Sequence, residues 1–242
     1  MKEVLYTIPL NDAYAENGEC PFCSIERDVE QDLLDFVLGS GASYMEYDVR
    51  SATDAEGFCK QHFKKMFAYG NTLGNAWILK THYMRINEQL NDEVKKFKVG
   101  KKASLFKKET ANNSMVEWVR NKEGSCYICK RFNETYDRYI ATFFHMYKTD
   151  SEFKDKLKNS KGFCLSHFGD ICESADKYLS EKEMEEFYPI AFKLMQDNMA
   201  RLQEDVNWLV EKFDYRNKDA DWKNSKDAVS RGMQKLKGGI YG

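Results

Sequence analysis

The chain has 242 residues, 42% of them hydrophobic and 31% charged, and Lys+Arg 37 against Asp+Glu 39 leaves a net charge of −2. This is the composition of a folded chain with a core of ordinary size, and it excludes a disordered one. With no basic field to hold phosphate backbones, no nucleic-acid partner is expected, and no apolar run reaches the roughly 18 residues of a bilayer span, so no membrane partner is expected either.

The opening stretch MKEVLYTIPLNDAYAENGE has no sustained apolar run and does not read as a signal peptide, so a cytoplasmic location is expected. In that compartment seven cysteines suit metal ligation better than a disulfide framework. A short helix over NDAYAEN leads into Cys-Pro-Phe-Cys at residues 20–23. Ile25, Val29, Leu33 and Phe36 then recur at helical spacing. A polar connector containing SYMEYDVR, residues 43–50, reaches EGFCKQHF at residues 56–63. A helix with Phe63, Met66 and Phe67 on one face follows, and then a long helix over 72–97. Residues 98–113, polar and basic, read as a linker.

The second half repeats this outline. SMVEWVRN opens a helix, with Ser114 and Glu117 as a capping box. Cys-Tyr-Ile-Cys at 126–129 precedes an amphipathic segment carrying Phe132, Tyr136, Tyr139, Ile140 and Phe143. KGFCLSHF at 161–168 starts a helix with Phe168, Ile171 and Cys172 on one face, Cys172 reading as a small buried hydrophobe. A long helix over 181–213 is capped by Ser180 and Glu183, and Pro189 is expected to end or kink it near residue 188. The tail, 214–242, is basic, with Trp222 as its expected anchor on the body. No segment reads as a strand for more than a few residues.

The two halves match at an offset of 106 over Gly18, Cys20 and Cys23, and of 105 over Gly57, Phe58, Cys59, His62 and Phe63. The expected fold is therefore all-α, with two tandem helical repeats of about 106 residues, each organised around a Cys3His metal site. The expected divisions are 1–97, the linker 98–113, 114–213, and the tail 214–242.

Zinc takes four soft or borderline ligands, commonly as two short pairs from separate parts of the chain. Four pairs occur here, in the order Cys20/Cys23, Cys59/His62, Cys126/Cys129 and Cys164/His167. If the ancestral repeat folded alone, its own two pairs had to satisfy each other, which favours Cys20/Cys23 with Cys59/His62 and Cys126/Cys129 with Cys164/His167. Cys20/Cys23 with Cys126/Cys129 is the alternative weighed. Zinc at two sites is expected, and iron or an iron–sulfur cluster remains open to the same ligands. A closed Cys3His shell leaves no position for water and points to a structural role. CPFC also resembles a glutaredoxin motif, but no hydrophobic strand precedes it.

Unshared polar residues suggest a further pocket. His82, Tyr83 and Arg85 on the long helix, with Asp48 and Arg50 of the 43–50 stretch, are candidates to meet a small anionic ligand or a partner. A surface helix with ion pairs is the plainer reading. His145 reads as a residue of an aromatic helix.

The order ECPFC, SYMEYDVR, GFCKQHF, THYMRIN, then CYIC, GFCLSHF, KFDYR and WKNSKDA resembles a family of bacterial proteins common in anaerobic Firmicutes. That family is catalogued as a domain of unknown function and is sometimes loosely labelled transporter substrate-binding. The resemblance covers nearly the whole chain and implies no catalytic residue; the transporter label fits poorly with so many paired cysteines. The leading expectation is a non-enzymatic scaffold with two structural zinc sites, binding a protein or small-molecule partner. A thiol or metallo-redox enzyme or sensor using the same cysteines is the alternative.

Overall fold

The computed structural model describes residues 4–98 and 114–240. Most of the 98–113 stretch read as a linker lies outside the described residues. Among the described residues there are eleven α-helices, two single-turn 3-10 helices and no strand, in keeping with the all-α expectation. The chain packs as two compact units. One is built from both ends of the chain, residues 1–29 and 134–242, and the other from residues 30–133.

The unit made from the chain ends contains α1 (Val4–Ala15), the start of α2 (Pro21–Leu38), most of α7 (Tyr127–Thr149), α8 (Ser151–Asn159), α9 (Leu165–Tyr178), α10 (Glu181–Glu211) and α11 (Ala228–Lys237). Its core is aromatic. Phe22, Phe143, Phe144, Tyr147, Phe153, Phe163 and Phe187 are all but fully buried. Their rings meet edge to face, as at Phe22–Phe143 (5.7 Å) and Tyr147–Phe187 (5.1 Å), the arrangement the ring quadrupoles prefer.

Helix ends in this unit follow their capping signals. Asp150 accepts from the amides of Glu152 and Phe153 at the start of α8. Ser180 and Glu183 form the expected capping box at the start of α10. Of the end or kink expected at Pro189, the end does not occur: α10 continues through it to Glu211. Proline removes one backbone bond, but Phe187 and Ala191 on either side are fully buried, so packing of the flanking turns holds the helix together. The tail is anchored by α11, whose Ala228 and Lys235 are buried, more than by Trp222, which remains 38% exposed.

The second unit contains the end of α2, a 3-10 turn (Ser43–Met45), α3 (Tyr47–Glu56), α4 (Lys60–Tyr69), α5 (Thr72–Lys96), α6 (Ser114–Glu123) and the start of α7. Leu34, Val37, Leu38, Val49, Met66, Ile78 and Ile128 form a largely aliphatic core, with Tyr44, Phe58 and Tyr127. Asn71 caps α5 by accepting from the Gly74 amide at 2.8 Å, while its own amide donates to Leu38 O at 2.7 Å.

Two apolar positions were misassigned by periodicity. Phe36 is 48% exposed because α2 buries Phe22, Ile25 and Val29 in one unit and Leu34, Val37 and Leu38 in the other. No single stripe describes it. Phe67 is 86% exposed, since α4 turns Met66 inward instead. Cys172 is only partly buried.

Candidate metal centres

Both Gly-Phe-Cys-x-x-His segments adopt one local shape. The glycine takes a left-handed φ, +63° at Gly57 and +74° at Gly162, which only glycine adopts without strain. The next-but-one residue, Cys59 or Cys164, is then the N-cap of α4 or α9, with identical φ −72° and ψ 164°. This places the sulfur at the positive end of a helix dipole, and at Cys164 it accepts from the His167 amide at 3.5 Å. The histidine lies one turn into the helix, facing back over that sulfur. The Cys-x-x-Cys pairs occupy the starts of α2 and α7, which bring their two sulfurs onto one side.

The structure assembles two four-ligand groups, each with its donor atoms within 4.8 Å of one another. The first is Cys20, Cys23, Cys164 and His167; the second is Cys59, His62, Cys126 and Cys129. The pairing expected from duplication is therefore wrong, and so is its weighed alternative. Each Cys-x-x-Cys joins the Cys-x-x-His of the other half.

Helix lengths supply the reason. At 1.5 Å per residue, the 18 residues of α2 carry the chain about 27 Å along the helix axis from Cys20 and Cys23 before Cys59 is reached. In the second half the 23 residues of α7 advance the chain about 35 Å along the helix axis from Cys126 and Cys129 before Cys164 is reached. Neither half brings its own pairs together. The two compact units instead close around the exchanged pairs, one centre in each.

In the first centre His167 Nδ1 lies 3.2 Å from Cys20 Sγ, 3.6 Å from Cys23 Sγ and 3.2 Å from Cys164 Sγ. In the second, His62 Nδ1 lies 3.2 Å from Cys59 Sγ, 3.2 Å from Cys126 Sγ and 3.4 Å from Cys129 Sγ, and Cys59 Sγ and Cys129 Sγ are 3.8 Å apart. A tetrahedron with metal–sulfur bonds of about 2.3 Å has edges of about 3.8 Å. The donor sets fit a single ion each.

Each imidazole is oriented from behind. His167 Nε2–H donates to Glu26 Oε1 at 3.1 Å, and His62 Nε2–H donates to Glu30 Oε1 at 3.1 Å, which leaves Nδ1 as the ligating atom in both. Both carboxylates come from α2, one turn apart. Sequence reading missed them, although Glu26 and Glu30 stand three and seven residues after Cys23, on the same helical face.

The donors polarise one another strongly. Burial alone would push the Cys126 thiol up, but hydrogen bonds from His62 and from the Cys129 and Cys59 amides bring it down to about 6. Burial opposes charge on His62, yet its bonds to Cys126 and Glu30 hold it up at about 10. At the first centre, hydrogen bonds from Cys20 and Cys23 hold Cys164 far below the thiol range. His167 is pushed up to about 12, its thiolate and Glu26 partners outweighing burial. Each group thus favours one thiolate, Cys126 or Cys164, while the bond to Cys164 pushes Cys23 up to about 12 and burial pushes Cys129 up to about 12.

The surroundings of the two centres differ. At the second, the Tyr127 amide donates to Gly57 O at 2.9 Å, tying the two ligand segments together. The equivalent of Tyr127 in the first half is Pro21, which has no amide hydrogen. Lys235 of α11 ties the first centre instead, donating to Glu19 O at 2.9 Å and to Lys161 O. Gly238 closes over the same centre, since a Cβ there would lie 3.5 Å from Cys164 Sγ and 3.8 Å from Cys23 Sγ. All four first-centre ligands are buried, whereas Cys59 and Cys129 are only partly so. A cavity of about 420 Å³, lined by Phe58, Phe63, Lys60 and Lys122, opens directly onto Cys59.

The other candidate residues lie on α3 and α5, which pack against each other. His82 packs against Gly57, where a Cβ would come within 2.9 Å of its Cε1, and its Nδ1–H donates to Asp54 O at 3.0 Å. That is a structural role supporting the ligand turn. Tyr83 is 62% exposed, Arg85 and Asp48 are exposed, and Arg50 is half-buried. No described helix is long and apolar enough to cross a membrane.

Comparison with curated proteins and with solved structures found no match to either. A family profile matches residues 1–242, the whole chain, and on that match the protein belongs to DUF6062, a family of unknown function.

Proposed function

We propose that each Cys3His group holds one zinc ion, that both ions are structural, and that the protein is a non-enzymatic cytoplasmic scaffold for a protein or small-molecule partner. The observation that carries this reading is the closure of both donor sets: three sulfurs surround one imidazole nitrogen at 3.2–3.6 Å and fill the tetrahedron. No corner is left for an activated water, so the chemistry of catalytic zinc has no place to start. Three thiolates and a neutral imidazole leave each loaded centre at net −1. Donor atoms this close suit one ion rather than a multi-iron cluster, whose ligands sit on different metals and farther apart.

The glutaredoxin-like reading of CPFC loses support because Cys20 is fully buried and starts a helix with no strand before it among the described residues. A sensing role keeps one specific observation in its favour, the partial exposure of Cys59 and Cys129 beside an open cavity. Metal analysis of protein purified without chelators tests the proposal. Two equivalents of zinc and no visible absorption are expected; a metal-free or coloured, iron-containing protein would overturn it.

A further inference from the structure

A second cavity, of about 430 Å³, lies against the start of α11 in the unit formed by the chain ends. Its size is within the range of small-molecule sites, about 300–1,000 Å³. Five cationic side chains line it, Lys161, Arg201, Lys223, Lys226 and Arg231, against a single lining carboxylate, Asp227.

The arginines and the lysines play different parts. Arg201 is held by Glu19 at 2.5 Å and by Asp205 at 3.6 Å; Arg231 is held by Asp205 and Asp227, both at 2.8 Å. Both guanidinium forks are thus fixed by carboxylates. Lys161, Lys223 and Lys226 have no carboxylate within 4.0 Å among the described residues. Lys161 is steadied by donating to Asn17 O at 2.7 Å, and Lys223 by lying 4.1 Å over the Trp208 ring. Neither contact neutralises the ammonium. Five cations against Glu19, Asp205 and Asp227 leave a surplus of two positive charges, in a chain whose net charge is −2. Gathering unpaired ammonium groups around one concavity costs repulsion that a bound anion would relieve. The amino end of α11 adds the positive end of its dipole at the same rim.

We propose that this cavity binds a small phosphorylated molecule. Lysine ammoniums act as point charges that suit a tetrahedral, many-oxygen anion, whereas planar carboxylate recognition relies on a free arginine fork, and both forks here are occupied. The cavity is larger than one phosphate group, so the ligand carries a further body or a second phosphate. The inference does not rest on which metal fills the Cys3His centres.

The test is calorimetric titration of the intact, metal-loaded protein with inorganic pyrophosphate, at constant ionic strength set with sodium chloride. Saturable binding is expected, weakened at least tenfold in the double variant K223Q/K226Q and unchanged in K182Q/K193Q, which loses the same charge outside the cavity. Metal content should be equal in all three proteins, which separates loss of the anion site from loss of fold. Absence of saturable heat, or equal affinity in K223Q/K226Q, overturns the proposal. So does tighter binding of a single-stranded oligonucleotide than of pyrophosphate, which would assign the charge to a nucleic-acid backbone.

Discussion

The exchanged pairing of ligands makes a stoichiometric prediction that consecutive pairing reverses. The substitutions Cys59→Ser and Cys129→Ser together remove two of the four ligands of one centre, whose sulfurs lie 3.8 Å apart, and leave the other untouched. One zinc per chain should remain, bound as tightly as before. The pair Cys23→Ser with Cys59→Ser removes one ligand from each centre, so both ions should become easy to withdraw. Losing an ion held at a thousandfold its dissociation constant takes away about 4 kcal/mol of stabilisation. At about 2–4 °C per kcal/mol for a chain of this size, the first double variant should melt about 8–16 °C lower. Elemental analysis and chelator competition give the count, and calorimetry gives the melting shift. If C59S/C129S weakened both ions while C23S/C59S kept one at full affinity, the exchanged pairing would be refuted.

Other consequences can be checked separately. Because Cys59 and Cys129 are partly exposed and the first-centre ligands are covered by α11, a chelator should strip one ion fast and the other slowly, and C59S/C129S should abolish the fast phase. Glu30→Gln, which removes the carboxylate behind His62, should weaken the second ion about 10–100-fold with little change at the first. Gly57→Ala should destabilise more than Gly162→Ala: both hold a positive φ that strains a Cβ-bearing residue by about 1–3 kcal/mol, but only the Gly57 Cβ meets a neighbour at 2.9 Å, where the nearest at Gly162 is 3.5 Å. In the metal-free protein His62 is raised to about 10 by its Cys126 and Glu30 bonds and Cys129 to about 12, chiefly by burial. The raised His62 stabilises the metal-free fold below its unfolded pKa near 6.5, and that contribution fades as pH climbs towards about 10. Metal binding must expel these same protons, so the gap in melting temperature between loaded and stripped protein should widen from pH 6 to pH 9.

Much of the architecture was legible in the chain because it depends on local chemistry. Helical spacing, the Ser180–Glu183 box and the Gly-Phe-Cys turn act over a few residues, so sequence placed α5, α10 and the shared ligand turns closely. The eight Cys and His residues that the structure gathers into two donor groups were marked by their two-residue spacing. Periodicity failed at Phe36 because α2 serves two cores with different faces, and Pro189 does not end α10 because burial of Phe187 and Ala191 outweighs one lost backbone bond.

Sequence alone thus determined an all-α chain with two sets of Cys and His donors held in preformed local turns. Only the tertiary structure decided which sets meet, which imidazole finds Glu26 or Glu30, and which centre Lys235 covers. Spacing along the chain fixes the reach of a pair across one turn; across a helix of 18 or 23 residues, the partner is chosen by where that helix delivers the chain. In this topology neither half of the chain holds a complete donor group.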